Sequence, residues 1–457
     1  MNENTYEKIL EMVGKDHFLR EKNAMACYGY DASACPYLPD AVAFPKNARE
    51  ISSLVTLANN VGFPIIPRGS GTGTTGGCLA VQGGLVIVTT RMNRILDIDT
   101  DNLVAHTEPG VMTGAFHAAV EAKGLYYPPD PSSADYSTLG GNLAECAGGP
   151  RAVKYGVTRD YVLGLEAVIG TGEIIRTGVQ TVKGVVGYDL TRLMVGSEGT
   201  LGIITRVTLR LLPKPEAVRT MIAVFAGMRQ AAETVSEIIR KGLLPRTIEF
   251  LDRPSIRCVS EHIELPLPPE AGALLIIETD GTHEEANQAI TRLSALCNDR
   301  KALKTIIAST RAEAENLWQA RKALSPAMYQ YGPDKINEDI VVPRSKIPDM
   351  LQYVESLQAE TGLTMICFGH AGDGNIHFHI MLDKSVAEDL KKAEAAVDKV
   401  FDHTLALGGT ISGEHGVGLS KQPYISKEIG GVEQTLMKQI KKVFDPGGIL
   451  NPGKIFP

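Results

Sequence analysis

At 457 residues the chain is too long for one ordinary hydrophobic core, so two or three domains are expected. Its composition, 44% apolar and 22% charged, is that of a globular protein, and a net charge of -7 argues against nucleic acid as a main partner, because phosphate binding needs a basic face. No apolar run approaches the roughly 18 residues of a membrane span, and the N-terminus lacks the basic start and apolar core of a signal peptide. The expectation is a cytoplasmic enzyme.

Seven cysteines, at 27, 35, 78, 146, 258, 297 and 367, are scattered and odd in number, which fits a reducing compartment rather than a disulfide framework. No pair is spaced C-x-x-C, so an iron–sulfur cluster of the chain's own is not expected. Electrons from any redox chemistry would leave through something else.

In chain order, residues 47–61 predict an amphipathic helix. Ile51, Leu54, Val55, Ala58 and Val61 recur at helical spacing, and Asn47 with Glu50 reads as a capping box. Residues 64–67 predict an extended piece feeding a glycine-rich loop. Strands are predicted over 85–90 and 103–107, and a helix over 113–123 that Gly124 stops. Residues 163–169 and 173–177 read as a hairpin, and 201–212 as a long β segment. Pro213-Lys214-Pro215-Glu216 marks a linker. Beyond it, strand, helix and strand over 220–226, 229–241 and 247–251 are echoed over 273–279, 284–296 and 304–308. Two such halves predict a ferredoxin-like antiparallel sheet with helices on one face. A helix over 311–331, a histidine-rich hairpin and a helical tail ending Asn451-Pro452-Gly453-Lys454 complete the chain.

Three stretches in the first half are rich in small residues and hydroxyls. Pro67 to Gly77 reads P-R-G-S-G-T-G-T-T-G-G, a loop that lets backbone approach a ligand and aims N–H groups at an anion. It is neither a Walker A loop nor a good Rossmann fingerprint, because no Lys-Ser or Lys-Thr follows and it leads toward a strand. Residues 128–150 and 187–205 are the other two. Each alone reads equally as an ordinary loop; together they point to a large phosphate-bearing cofactor.

Near the C-terminus, residues 368–380 read F-G-H-A-G-D-G-N-I-H-F-H-I, three of the ten histidines around an Asp-Gly dipeptide. If Asp373-Gly374 is a two-residue hairpin turn, His370 and His377 are directly opposed, with Cβ atoms about 4.5–5.5 Å apart, within reach of one metal. A second loop, residues 412–418, supplies Glu414 and His415. A satisfied pair of sheet histidines and a metal-assisted acid/base site are the two readings.

As a set these motifs resemble the vanillyl-alcohol oxidase/PCMH flavoproteins, most of all the FAD-dependent D-2-hydroxyacid dehydrogenases of the D-lactate dehydrogenase and glycolate oxidase large-subunit type. The resemblance spans the three small-residue stretches, the linker, G-H-A-G-D-G-N-I-H, S-G-E-H-G-V-G and N-P-G-K, essentially the whole chain. It implies an α+β fold. A PCMH-type FAD-binding domain would cover 1–213. A substrate (cap) domain with the ferredoxin-like sheet and metal hairpin would cover 214–410. A C-terminal segment, 411–457, would return to the flavin.

The resemblance also implies roles. Arg68, Gly69, Ser70, Gly71, Thr72, Gly73 and Thr74 would hold the FAD pyrophosphate. Pro129, Asp130, Ser133, Gly140, Gly141, Asn142, Gly148 and Gly149 would line the flavin cleft, with Ile203 and Asn451. No histidine lies in the glycine loop or in 128–150, so FAD is expected to be non-covalent. His370, His377 and Glu414 would hold one divalent metal, zinc, manganese or iron, among which the ligand set does not choose. His415 would be the catalytic base. Arg321 would hold the substrate carboxylate, with Ser325 one turn on and Lys335 nearby. His379 stands where the family often has asparagine, as a substrate contact or a fourth ligand. Tyr329, Tyr331 and His403 are read as structural.

The implied reaction is oxidation of a small D-2-hydroxyacid, D-lactate or glycolate, to the 2-oxoacid. The acceptor would be an iron–sulfur subunit, an electron-transfer flavoprotein or a quinone, and the chain would be cytoplasmic or peripheral to the membrane through a partner. D-2-hydroxyglutarate oxidation, a non-redox transferase of the alkyl-dihydroxyacetone-phosphate synthase type and a non-catalytic flavoprotein subunit stay open beside it.

Overall fold

The computed structural model describes residues 1–33, 35–260 and 267–457. The chain divides into two compact units. One comprises Met1–Gly148, Val157–Lys214 and Glu414–Pro457; the other comprises Gly149–Gly156 and Pro215–Gly413.

In the first unit the helix Ala48–Val61 begins at Asn47, whose side chain accepts from Glu50 N–H at 2.9 Å, and ends on Gly62 at φ 84°. Ile51, Leu54, Val55 and Ala58 are buried in one core with Ile9, Ile65, Leu85, Ile87 and Ile203. A four-stranded sheet has the order Phe18–Leu19, Ala41–Ala43, Leu85–Val88, Ile65–Arg68, the last three parallel. Every residue of Leu85–Val88 is buried, as expected of a central parallel strand covered on both faces. A five-stranded antiparallel sheet has the order Ile95–Asp99, Val104–Thr107, Gly202–Arg210, Val162–Ile169, Ile174–Gly178. The C-terminal segment joins this unit: Asn451 N–H donates to Ile65 O at 2.7 Å, and Ile449 and Leu450 enter the same core.

The second unit is built on a seven-stranded antiparallel sheet. Its order is Lys304–Ile307, Ala217–Phe225, Ala273–Gly281, Thr247–Asp252, Thr364–His370, Asn375–Leu382, Asp334–Val341. The first four, with the helices Met228–Arg240 and His283–Asp299, make the ferredoxin-like βαββαβ arrangement. Strand side chains alternate between faces. Thr279 donates to Ala286 O at 2.9 Å and so holds the helix His283–Asp299 on one face. The other face carries Ile222, Val224, Leu251, Leu274, Ile276, Ile366 and Phe368, packed against Leu317, Ala320 and Leu324. Those three belong to the helix Arg311–Ala327, so helices cover both faces rather than the one expected. The helix stops at Ala327, just past Pro326, and a 3₁₀ turn over Met328–Tyr331 completes the predicted span.

The histidine hairpin departs from its expected register. His377 pairs with Phe368 and Phe378 with Cys367, so the strands end at His370 and restart at Asn375. The loop is therefore four residues long, not two. Asp373 N–H and Gly374 N–H both turn back to His370 O, at 3.3 and 3.2 Å, and Asp373 Oδ1 accepts from Asn375 N–H at 3.2 Å. The correction is a slip of two residues, and a two-residue slip keeps every side chain on its face. His370 and His377 are diagonal neighbours, with ring centroids 5.1 Å apart.

Candidate functional site

The first unit holds a cleft under its glycine loop. The walls include Arg68 to Thr74, Ser133, Gly140, Gly141, Asn142, Gly148 and Ile203, as expected, together with Cys78, Thr138, Glu145, Glu198, Glu414 and His415. Four further expected residues are not among the wall residues. Pro129 O accepts from His117 Nε2 at 2.9 Å, and Asp130 is not on the wall. Gly149 belongs to the second unit. Asn451 braces the cleft from behind, donating to Gly77 O and Glu198 O at 2.7 Å each.

The walls are smooth because side chains cannot fit. A Cβ on Gly140 would lie 2.6 Å from Pro109 Cβ, and one on Gly69 would lie 2.4 Å from Thr138 Oγ1. Arg68 is buried beneath the loop, donating to Tyr30 O at 2.8 Å and Cys27 O at 3.3 Å, and so supports the loop from below. Among the described residues, no protein acceptor is found for the backbone N–H groups of residues 69–75, and the buried Thr74 hydroxyl has no partner. Outward N–H groups with added hydroxyls are what a pyrophosphate requires. The residues present fit an FAD diphosphate.

Two acidic residues of this cleft were missed in the sequence. Glu198 accepts from Val417 N–H at 2.8 Å and Gly418 N–H at 2.6 Å, and thereby fixes the loop that carries Glu414 and His415. Thr75 Oγ1 adds a bond to His415 O at 3.2 Å. Burial pushes the Glu198 carboxyl up, against the pull of those N–H groups and of Lys421 and Lys454. Burial, then the charges of Glu198 and Asp31, push the Glu145 carboxyl up. In the structure Glu198 adopts φ 51°, a conformation a non-glycine residue seldom takes without a reason, but no residue pattern in the sequence announces it.

In the second unit, one sheet face gathers a polar cluster where its apolar stripe ends. Glu249 is opposite His370 in register, and Asp339 is opposite His377. Glu249 is fully buried; its Oε1 lies 2.5 Å from His370 Nδ1 and its Oε2 accepts from Arg321 Nε at 2.8 Å. Burial raises the Glu249 carboxyl, but the His370 and Arg321 charges outweigh it and hold the group below its ordinary range. Asp339 Oδ1 lies 3.6 Å from His377 Nδ1 and accepts from Asn375 Nδ2 at 2.5 Å, while its Oδ2 accepts from Gly413 N–H at 2.9 Å. The carboxylate on His370 Nδ1 leaves its Nε2 as the available ligand atom, the arrangement that metal-binding histidines use, while Asp339 lies one step further from His377, beyond hydrogen-bond distance.

Arg321 stacks over Phe368, its Cζ 4.4 Å from the ring centroid. His379 meets the same ring edge-on at 4.8 Å. Lys335 is half-buried, which lowers its ammonium pKa, and donates to Ser325 Oγ at 3.3 Å. Arg321, Ser325, Lys335, His370, His377 and His379 thus share one side of this unit. Lys335 also lies 5.5 Å from the Tyr329 ring, and His403 stacks on Tyr353 at 3.9 Å.

A glycine-walled cleft in one unit and a paired-histidine face in the other point to a flavin-dependent oxidoreductase. Residues 39–178 match the FAD binding domain, and residues 214–455 match the C-terminal domain of FAD linked oxidases. The chain belongs to the FAD-linked oxidase family. It is 44% identical to the glycolate oxidase subunit GlcD of Bacillus subtilis (strain 168), over 98% of this chain and 96% of the relative. It is 38% identical to a D-lactate dehydrogenase of Anaerostipes hadrus, over 91% and 89%, and 31% identical to a D-2-hydroxyglutarate dehydrogenase of Stutzerimonas stutzeri (strain A1501), over 98% of each. Its fold is that of p-cresol methylhydroxylase, with a TM-score of 0.82 over 99% of this chain and 96% of that one at 17% identity. Among the described residues no helix is long and apolar enough to cross a membrane.

Proposed function

We propose that this chain oxidises a small D-2-hydroxyacid, D-lactate or glycolate, to the 2-oxoacid, using non-covalent FAD and one divalent metal. The observation that carries the reading is the paired His370 and His377, each backed by a buried carboxylate, beside an arginine whose Nε is already committed to Glu249. A guanidinium held by its Nε presents its two terminal nitrogens as a fork, the shape that grips a carboxylate bidentately. Relatives named for glycolate and D-lactate support the acid class.

In this reading Arg321 binds the substrate carboxylate, with Ser325, Lys335 and His379 around it. His370, His377 and Glu414 would hold the metal, which would supply Lewis acidity toward the hydroxyl. His415 takes the hydroxyl proton. FAD bound in the cleft would supply a two-electron acceptor for the hydrogen at Cα. The electrons then pass to a separate acceptor, an iron–sulfur protein, an electron-transfer flavoprotein or a quinone. D-2-hydroxyglutarate stays as a second substrate, because Lys335 offers a further cation and a relative carries that name.

The test is anaerobic mixing of the FAD-loaded protein with D-lactate, glycolate, D-2-hydroxyglutarate and L-lactate. Bleaching of the flavin band by a D-acid or glycolate is the expected result. A spectrum unchanged by every acid would favour a non-redox transferase on the same fold.

A further inference from the structure

We propose that Glu249 is a positioning residue that couples the metal ligand His370 to the substrate arginine Arg321 through its single carboxylate. The inference rests on the metal-dependent hydroxyacid reading above. It is independent of which acid and which metal are used.

Three observations carry it. First, the two oxygens of Glu249 are divided: Oε1 faces His370 Nδ1 at 2.5 Å, and Oε2 accepts from Arg321 Nε at 2.8 Å. Second, the carboxylate is inaccessible, with 0% side-chain exposure, so water cannot replace a lost partner. An unpaired charge buried in this way is costly, and the fate of one bond is felt by the other. Third, Asp339 offers an internal contrast. It lies opposite His377 in register as Glu249 lies opposite His370, but its near oxygen is 3.6 Å from the imidazole and accepts from Asn375 Nδ2, and its second oxygen goes to the backbone N–H of Gly413 rather than to an arginine.

The geometry gives Glu249 two tasks. It keeps the proton of His370 on Nδ1 and leaves Nε2 as the ligand atom. It also fixes the guanidinium plane, together with the Phe368 ring below it. A cation bound by His370 would draw electron density from the imidazole and strengthen its hydrogen bond to Glu249. That change would reach Arg321 through the same carboxylate. Coupling of this kind is reciprocal, so removing Arg321 must alter metal affinity even though Arg321 is not a ligand.

The test uses full-length, FAD-loaded protein stripped with a chelator and titrated with Mn2+. Glu249→Gln keeps the shape but leaves only one acceptor oxygen. It should weaken Mn2+ binding about 10- to 100-fold. At saturating Mn2+ it should also raise KM for the acid by at least about fivefold, more than it lowers kcat. Asp339→Asn should weaken Mn2+ binding but leave KM at saturating Mn2+ in place. Arg321→Met, which serves if Glu249→Gln does not fold, should change the Mn2+ dissociation constant severalfold. Unchanged Mn2+ affinity in Arg321→Met, or an equal rise in KM in Asp339→Asn, would overturn the coupling. A wild-type protein that binds no Mn2+, or that no hydroxyacid reduces, would instead sink the functional reading on which it rests.

Discussion

Asp339 lies directly across the strand pair from His377, with its Oδ1 3.6 Å from the imidazole Nδ1. The same relationship recurs one strand pair away between Glu249 and His370. Two histidines, each with an acidic cross-strand partner, is a pattern that a packed core has no need of. Replacing either histidine by alanine should therefore lower bound metal from one equivalent per chain toward zero, and should reduce kcat by at least about a hundredfold. Elemental analysis beside steady-state rates checks both, and retained metal in His377→Ala would remove His377 from the ligand set.

Arg321 tests the carboxylate site. Lysine keeps the charge but has no fork and cannot lie flat on Phe368 while bonding Glu249. Arg321→Lys should raise KM about 10- to 100-fold, the loss of one to two charge-assisted hydrogen bonds, with a smaller fall in kcat. Initial-rate kinetics with D-lactate and glycolate measure this.

Gly140 tests the cofactor cleft. An added Cβ would lie 2.6 Å from Pro109 Cβ and 3.1 Å from its carbonyl oxygen, so the helix Leu139–Glu145 must move away. Gly140→Ala should cost about 1–3 kcal/mol by overpacking and loosen FAD. Urea unfolding and the FAD released on gel filtration follow the two effects.

Asp252 gives a stability profile. It caps the helix Arg253–Val259, accepting from Ser255 N–H at 2.8 Å and from Cys367 N–H at 2.6 Å. Burial raises its carboxyl from 3.8 to about 6 despite those bonds. The folded state therefore holds this proton over a window where the unfolded state has released it. Stability contributed by the group is full below the ordinary carboxylate pKa and falls as pH rises to about 6. The loss is on the order of 3 kcal/mol at about 1.4 kcal/mol per pKa unit. Asp252→Asn should flatten that slope in denaturant melts between about pH 4 and 7.

Local signals carried much of the fold. The Asn47 cap, the helical spacing of Ile51, Leu54, Val55 and Ala58, and the alternation of strand and helix from 217 to 307 all appear in the structure where the pattern places them. The histidine turn failed because Asp373 is used inside a four-residue loop, and Asp-Gly alone does not reveal loop length. Glu249 and Asp339 were out of reach for another reason. They sit 121 and 38 residues from His370 and His377, and only the order and register of the strands bring them opposite. Glu145 and Glu198 were hidden because a buried acid has the same letter as an exposed one.

The most direct measurement is the anaerobic reduction of bound FAD by D-lactate and by glycolate before and after chelation, followed by stopped flow. The account predicts rapid bleaching by at least one of them in the metal-loaded protein, a rate at least about a hundredfold lower after chelation, and recovery on adding back zinc, manganese or ferrous ion. Equal rates in loaded and chelated protein would contradict a metal-assisted reaction.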